Sequence, residues 1–442
     1  MSAQKKQRIA ILGGGPAGLS TAYHLTNKPG WEDEYEITVY QMGWRLGGKA
    51  ASSRGSKEYG ERIEEHGIHL FGNFYLNMFK MLNECYKDLY TDEHGNPIPT
   101  KEPVTTIEEA FKGSNFQGLP DFVDGKWVFQ TGWLAHNDGT PWSGELPDAA
   151  VIMKDLGYQL YATLTGKQPP FTPHVKPSGR WGRFIDKVES AFLGWLARSL
   201  YKHLEKDVHD HAKLLKIIRK IRKRVQSWMR WFADRSLSFR WKFIQIDLLT
   251  TLMQGIIADD VFSKDIDELD KWDYREWLQK HDIDPITLAS GFAQIVPNIG
   301  FNYPNGDSTE FPAFSAAPYL YFFLRQIYGE GDALYFFAAG TGDSVVAPVY
   351  RVLMKRGVKF EFFHKVSDVA PNTDGDMIDQ ITFDVQATTK NGEPYDPMIT
   401  VKDMYSWPAH PKYDKLNEGD QLKAQKSILS RIGRPGKASR KQ

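Results

Sequence analysis

The sequence predicts an α/β fold in which a parallel βαβ sheet is interrupted by an inserted, helix-rich α+β domain. Three observations carry this reading. The apolar run Ile9-Ala10-Ile11-Leu12 leads directly into Gly13-Gly14-Gly15-Pro16-Ala17-Gly18, which opens a helical pattern of Leu19, Ala22, Tyr23 and Leu25. A second strand pattern follows at Glu36-Ile37-Thr38-Val39-Tyr40. Far downstream, the loop Phe336–Asp343, a helical stretch to Arg356 and a strand at Val358–Phe363 supply what a discontinuous domain needs to close its sheet.

The first turn is the most informative element. Glycine at Gly13, Gly15 and Gly18 lets the backbone turn sharply, approach a diphosphate closely and pack helix against strand. The helix that begins at Pro16-Ala17 then offers unpaired N–H groups to phosphate charge. A bare βα turn also favours glycine, so the motif gains its meaning from context: strand before, helix after, and a second strand ending where a ribose would lie. Together these features read as a Rossmann-like dinucleotide-binding unit.

The continuation is Gln41-Met42-Gly43-Trp44-Arg45-Leu46-Gly47-Gly48-Lys49-Ala50. It resembles the segment after the second strand in FAD enzymes of the phytoene desaturase and flavin amine oxidase superfamily, whose nucleotide domain is of the glutathione-reductase type. In that superfamily an acidic residue binds the adenosine ribose and an Arg-x-Gly-Gly loop runs beside the phosphates. Position 41 departs from the pattern in being Gln, although an amide also hydrogen-bonds a hydroxyl. Glu65-His66-Gly67-Ile68-His69 resembles the loop that reaches the flavin ring, and the residue matching Val366 holds the adenine through its backbone. The resemblance runs over nearly the whole chain, closest to desaturase-like proteins carrying Gly-Trp-Arg-Leu-Gly-Gly-Lys and Glu-His-Gly-x-His. It implies FAD as cofactor and Gly13, Gly15, Pro16, Ala17, Gly18, Gln41, Arg45, Gly47, Gly48, Lys49, His66, Gly67 and Val366 as its contacts. A metal bound by His66 and His69 is not expected, because no cysteine or further spaced ligand lies nearby. An NAD(P)-linked enzyme is a third reading, which the Arg-x-Gly-Gly loop weakens.

Length and composition set the frame. At 442 residues the chain holds two domains with sizeable cores. Net charge is +0, so the whole-chain balance points to no polyanionic partner. The single Cys85 excludes an internal disulfide and suits a reducing, cytoplasmic compartment, where a buried apolar role fits it better than a nucleophilic one. The polar start, Met1 to Arg8, is not a secretory signal, and no apolar run reaches the ~20 residues needed to span a bilayer.

Four segments follow from these patterns. Residues 1–90 form the first part of the FAD-binding domain, ending in an aromatic helix over 73–90. Residues 91–330 form the substrate domain, turn-rich over 121–147 and helical over 187–262. Residues 331–422 return to the FAD-binding sheet, with strands at 381–385 and 398–401, and 423–442 form a basic tail.

Between Lys213 and Lys242 stand eleven Lys or Arg and one acid, Asp234. Leu214, Ile218, Ile221, Val225, Trp228 and Phe232 recur at helical spacing, with cations over much of the remaining surface. Three readings fit this pattern. The helix lies in a membrane interface with Trp231 and Trp241 at headgroup level, or it is a solvated face balanced by the acidic stretch 259–270, or it binds nucleic acid. The first two are expected over the third, which makes peripheral membrane contact through 213–242 the candidate interaction.

With a flavin bound, the expected chemistry is desaturation, isomerisation or other oxidation of an apolar polyene, terpenoid or lipid, with hydride passing to flavin. An amine substrate is the competitor. Tyr303, Tyr319, Tyr321, Phe322 and Phe323 are cavity-lining candidates, with the core as the alternative. No catalytic residue is assigned.

The superfamily closes its flavin site with a carboxy-terminal Ala-Gly-Asp turn and helix, and no such segment follows the strand holding Val366. A one-base shift in back-translated codons for residues 425–437 reads Glu-Val-Asp-Leu-Glu-Ser-Asp-Trp-Ala-Ala-Trp-Glu, which suits the longer relatives. The chain is therefore expected to be a frameshifted or truncated product with a poorly enclosed flavin. The alternative to an enzyme is a non-catalytic, membrane-associating protein that binds a dinucleotide.

Overall fold

The computed structural model describes residues 6–133, 137–142, 152, 156, 211–261 and 263–424. The expected helical stretch over 187–210 and most of the basic tail lie outside the described residues. In chain order the principal elements begin with strand β1 (Gln7–Leu12), helix α1 (Pro16–Thr26), strand β2 (Tyr35–Gln41) and helix α2 (Leu76–Tyr90). A ribbon follows, β3 (Phe116–Val123) with β4 (Lys126–Trp133). Next come helices α3 (His211–Ala233), α4 (Leu237–Ala258), α5 (Tyr274–Lys280), α6 (Gly291–Ile299), α7 (Ala316–Tyr328) and α8 (Ala347–Lys355). Strands β5 (Lys359–Phe362), β6 (His364–Pro371), β7 (Ile378–Val385), β8 (Ile399–Val401) and β9 (Met404–Ser406) follow.

The chain divides into two compact units. The first comprises Met1–Phe71, Asn77–Lys112 and Tyr335–Gln442; the second comprises Gly72–Leu76 and Gly113–Leu334. The insertion expected over 91–330 thus leaves 91–112 with the first unit. Arg351 on α8 explains this, because it clamps the Glu102 carboxylate with both guanidinium nitrogens at 2.9 Å while Tyr90 donates to the same carboxylate at 2.7 Å.

In the first unit β2 lies between β1 and β5, and all three strands run parallel. Leu12 stands opposite Tyr40, and Phe362 opposite Gln41. The strand read at 358–363 therefore does return the chain to the sheet, as the α/β reading requires. Helix α1 buries Leu19, Ala22 and Tyr23, residues spaced for one face of a helix. Beyond β5 the chain forms an antiparallel ribbon, β6 with β7, in which Val366 faces Phe383 beside a bulge.

The second unit is mostly helical, and its core is built on α3 and α4. Helix α4 is buried almost all round, from Phe239 to Ile257, which matches its apolar composition. Helix α3 buries the stripe Leu214, Ile218, Ile221, Val225 and Met229 in the same core. Each of these side chains contributes about 1.5–3 kcal/mol through burial. Two expectations change here. The segment read as turn-rich begins inside a regular hairpin, closed by Asp124 and Gly125 in left-handed conformations. Of the five aromatic cavity candidates, Tyr319 and Phe323 are core residues: Tyr319 is fully buried, stacks on Tyr274 at 4.9 Å and donates to the Ala293 carbonyl.

Candidate functional site

The glycine bend is held from two sides. The Gly13 N–H donates to the Tyr40 carbonyl at 2.8 Å, so the parallel ladder extends one residue into the turn. The Gly14 N–H donates to Oε1 of Gln41 at 2.9 Å, while Nε2 of Gln41 donates to the Met42 carbonyl. Gln41, expected at a ribose hydroxyl, thus has its carboxamide engaged within the turn, where it ties the bend to the end of β2.

The second glycine motif crosses the first. The Gly47 N–H donates to the Gly14 carbonyl at 2.8 Å. Gly47 and Gly48 both have positive φ (106° and 55°), a region that glycine enters without steric cost. A Cβ on Gly48 would lie 3.2 Å from the Gly15 Cα, and one on Gly18 would lie 2.0 Å from the Gly13 carbonyl oxygen. Glycine is therefore a packing requirement at these positions. Among the described residues, the backbone N–H groups of Gly15, Ala17 and Gly18 find no hydrogen-bond acceptor. Pro16 and Ala17 are exposed, and helix α1 carries no side-chain cap. The amino end of an eleven-residue helix is thus open to an anion.

Arg45 belongs to the loop that Gly47 fastens to the bend. It lines a cavity of about 450 Å³ with Ser53, Tyr59, Glu64, Glu65, His66 and His410 among its neighbours. Its Nε is buried without a hydrogen-bond partner, and among the described residues the guanidinium forms no ion pair. Burial lowers its pKa, against the opposing pull of the Glu64 charge, and the side chain remains a cation. The half-buried guanidinium, with the Glu64 carboxylate in the same cavity but no ion pair formed among the described residues, keeps donors that an anionic ligand would engage. Lys49 and Gly67 are exposed, and Val366 lies in the β6–β7 ribbon.

The loop carrying His66 is fixed by Glu65. Oε1 of Glu65 accepts from the Thr341 N–H at 2.6 Å, and Oε2 stands 3.0 Å from Nδ1 of His69. The His66 and His69 rings meet edge to face at 5.4 Å. Among the described residues no group of three or more His, Cys, Asp or Glu is placed to hold a metal ion.

Several residues that the sequence did not single out complete this region. Ser52 Oγ accepts from the Gly342 N–H at 2.6 Å, and Arg54 pairs with the buried Asp343 at 2.7 Å. Burial pushes the Asp343 carboxyl up, and the Arg54 charge opposes that shift. Trp407, fully buried, donates to the Gly342 carbonyl at 2.9 Å, and the Pro408 carbonyl accepts from Trp44. Asp343 lies in the first turn of a π-helical segment, Gly342–Val346, that runs into α8. The one signal available in advance was the glycine spacing at Gly340 and Gly342, where any Cβ would strike Ser52. Cys85 is fully buried, and burial raises its thiol pKa far above the ordinary range, which suits packing and not nucleophilic attack.

Comparison with known proteins agrees with the bend. Residues 11–85 match the NAD(P)-binding Rossmann-like domain. Zeta-carotene desaturases of Solanum lycopersicum and Capsicum annuum are 33% and 32% identical to this chain over 98 residues. The Arabidopsis thaliana protein is 30% identical over 99 residues. Each alignment spans 22% of this chain and 15–16% of the desaturase, narrower than the resemblance expected along the chain. The chain carries a Rossmann-like dinucleotide-binding domain, and the likeness to these desaturases covers about a sixth of their length.

Proposed function

We propose that this protein is an FAD-dependent oxidoreductase that removes a hydride and a proton from an apolar polyene, terpenoid or related lipid. The observation that carries the proposal is the open bend: three backbone N–H groups, of Gly15, Ala17 and Gly18, without acceptors among the described residues at the start of α1. The residues fit a flavin dinucleotide. Gly48 gives the bend a neighbour without a side chain, and the orphaned Nε of Arg45 supplies a cation in the adjoining loop. Those N–H groups and Arg45 would hold the diphosphate.

Flavin, when bound, supplies the two-electron acceptor. The protein's own part is to bind and orient. Glu65 fixes the loop of His66 against Thr341, so that His66 presents a polar group to the cavity. The apolar substrate class is taken from the likeness to the zeta-carotene desaturases.

Purification of the full chain and its visible spectrum test this reading. A yellow protein with a flavin band, releasing FAD on denaturation, is the expected result. A colourless protein that gains no flavin band when incubated with FAD overturns it.

A further inference from the structure

Helix α3 contains eight Lys or Arg and no acid. The structure divides these cations. Arg222 is buried and pairs with Asp247 at 3.0 Å, and Arg230 pairs with Asp234 and Asp284. Lys216, Arg219, Lys220 and Lys223 are all exposed, and among the described residues no acid pairs with any of them. In the acidic stretch 259–270, Asp259 is engaged by Trp277, Lys280 and His281, and among the described residues no carboxylate of the stretch pairs with these four cations.

At 100° per residue these four cations fall within one arc of the helix, and Ser227 and Trp231 continue it toward the carboxyl end. Trp231 is 55% exposed, with the Arg235 guanidinium 3.9 Å above its ring. Ala212 and Leu215 join the four cations around a shallow groove of about 430 Å³. The opposite face carries the apolar stripe, and it is committed to the core. The insertion of that stripe into a bilayer, which the sequence allowed, is therefore excluded in this fold.

We infer that α3 docks on an anionic lipid surface through its outer face, with Lys216, Arg219, Lys220 and Lys223 against headgroup phosphates and Trp231 at the interface. Charge complementarity favours this partner, because a flat row of unpaired cations suits a surface of phosphodiesters. A single-stranded nucleic acid would need a series of aromatic rings for its bases to stack on. Phe232 packs against the core and Trp241 is buried, which leaves Trp231 as the exposed ring of this segment. The inference does not rest on the flavin reading, since docking is measured whether or not the protein holds a cofactor.

Flotation of the full chain with phosphatidylcholine vesicles, with and without phosphatidylglycerol, tests it. Binding to the anionic vesicles alone is expected, weakening as salt shortens the Debye length. Each Lys→Gln or Arg→Gln change at the four positions should lower partitioning about fivefold at low salt. The combined variant K216Q/R219Q/K220Q/K223Q should not float, while K216R/K220R/K223R floats like the parent. Trp231→Ser should lower partitioning several-fold at every salt concentration. Circular dichroism should be unchanged throughout, because all the altered side chains are exposed. Anionic vesicle binding that survives the combined substitution overturns the inference. So does failure of the parent to bind, or retention on single-stranded RNA in preference to vesicles.

Discussion

A methyl group at Gly18 would sit 2.0 Å from the Gly13 carbonyl oxygen, and both atoms belong to backbone that the sheet and α1 hold in place. Gly18→Ala should therefore displace the bend, lowering FAD affinity at least about tenfold and the melting midpoint by several degrees. Flavin titration and a thermal melt read both effects. Arg45 should separate them. Without a hydrogen bond to its Nε or an ion pair to lose, Arg45→Ala should change stability by less than about 1 kcal/mol. Loss of a charge-assisted contact to an anion should nevertheless weaken FAD binding by roughly ten- to a hundredfold. Equal affinity for FAD in parent and variant would remove Arg45 from the site. At this scale the two glycine motifs were legible because backbone geometry restricts the residue type. The partners of Ser52, Arg54 and Asp343 were not, since nothing local marks a contact across nearly 290 positions.

Among the elements, α3, α4 and the chain after α5 share one buried polar network. Arg222 donates to Asp247 and to the His281 and Asp282 carbonyls, and Asp247 also accepts from the Asp284 N–H. Removing one member strands the others, so Arg222→Ala should cost about 3–5 kcal/mol in denaturant unfolding. The paired change R222M/D247L, which removes both charges, should cost less. His281 adds a pH dependence. Burial lowers its pKa below 6.5 despite the hydrogen bond to Asp259, so the unfolded chain binds its proton more readily than the folded one. Stability from this group is present above about pH 6.5 and falls as the pH drops below it, by at most about 1.4 kcal/mol per pH unit. His281→Gln should flatten the decline of the melting midpoint between neutrality and acid. An unchanged slope would show that other groups set it. The sequence pattern found α3 and its two faces. It could not say that Arg222, one of a run of cations, points inward, because that depends on where Asp247 and the carbonyls at 281–282 come to lie.

For the whole molecule, a ligand that binds only the folded state raises stability by RT ln(1 + [L]/Kd), about 2.7 kcal/mol at a hundredfold excess over Kd. FAD should therefore raise the melting midpoint of the full chain by several degrees, and NADH should leave it unchanged. Protection by NADH and not by FAD would favour a nicotinamide-linked enzyme.

What the sequence determined alone was local and periodic: a strand, a glycine bend and a helix at 9–25, a returning strand near 360, and a basic amphipathic helical segment within 213–242. Short-range geometry suffices for these, because a glycine at positive φ or an apolar residue every third or fourth place leaves few other conformations open. Tertiary structure decided which polar groups stay unsatisfied and which faces stay exposed. It engaged Gln41 inside the bend while Arg45 kept an orphaned nitrogen, and it turned the apolar side of α3 to the core and its cations to solvent. Burial and partnership are properties of the assembled chain, since each depends on atoms that lie far away along the sequence.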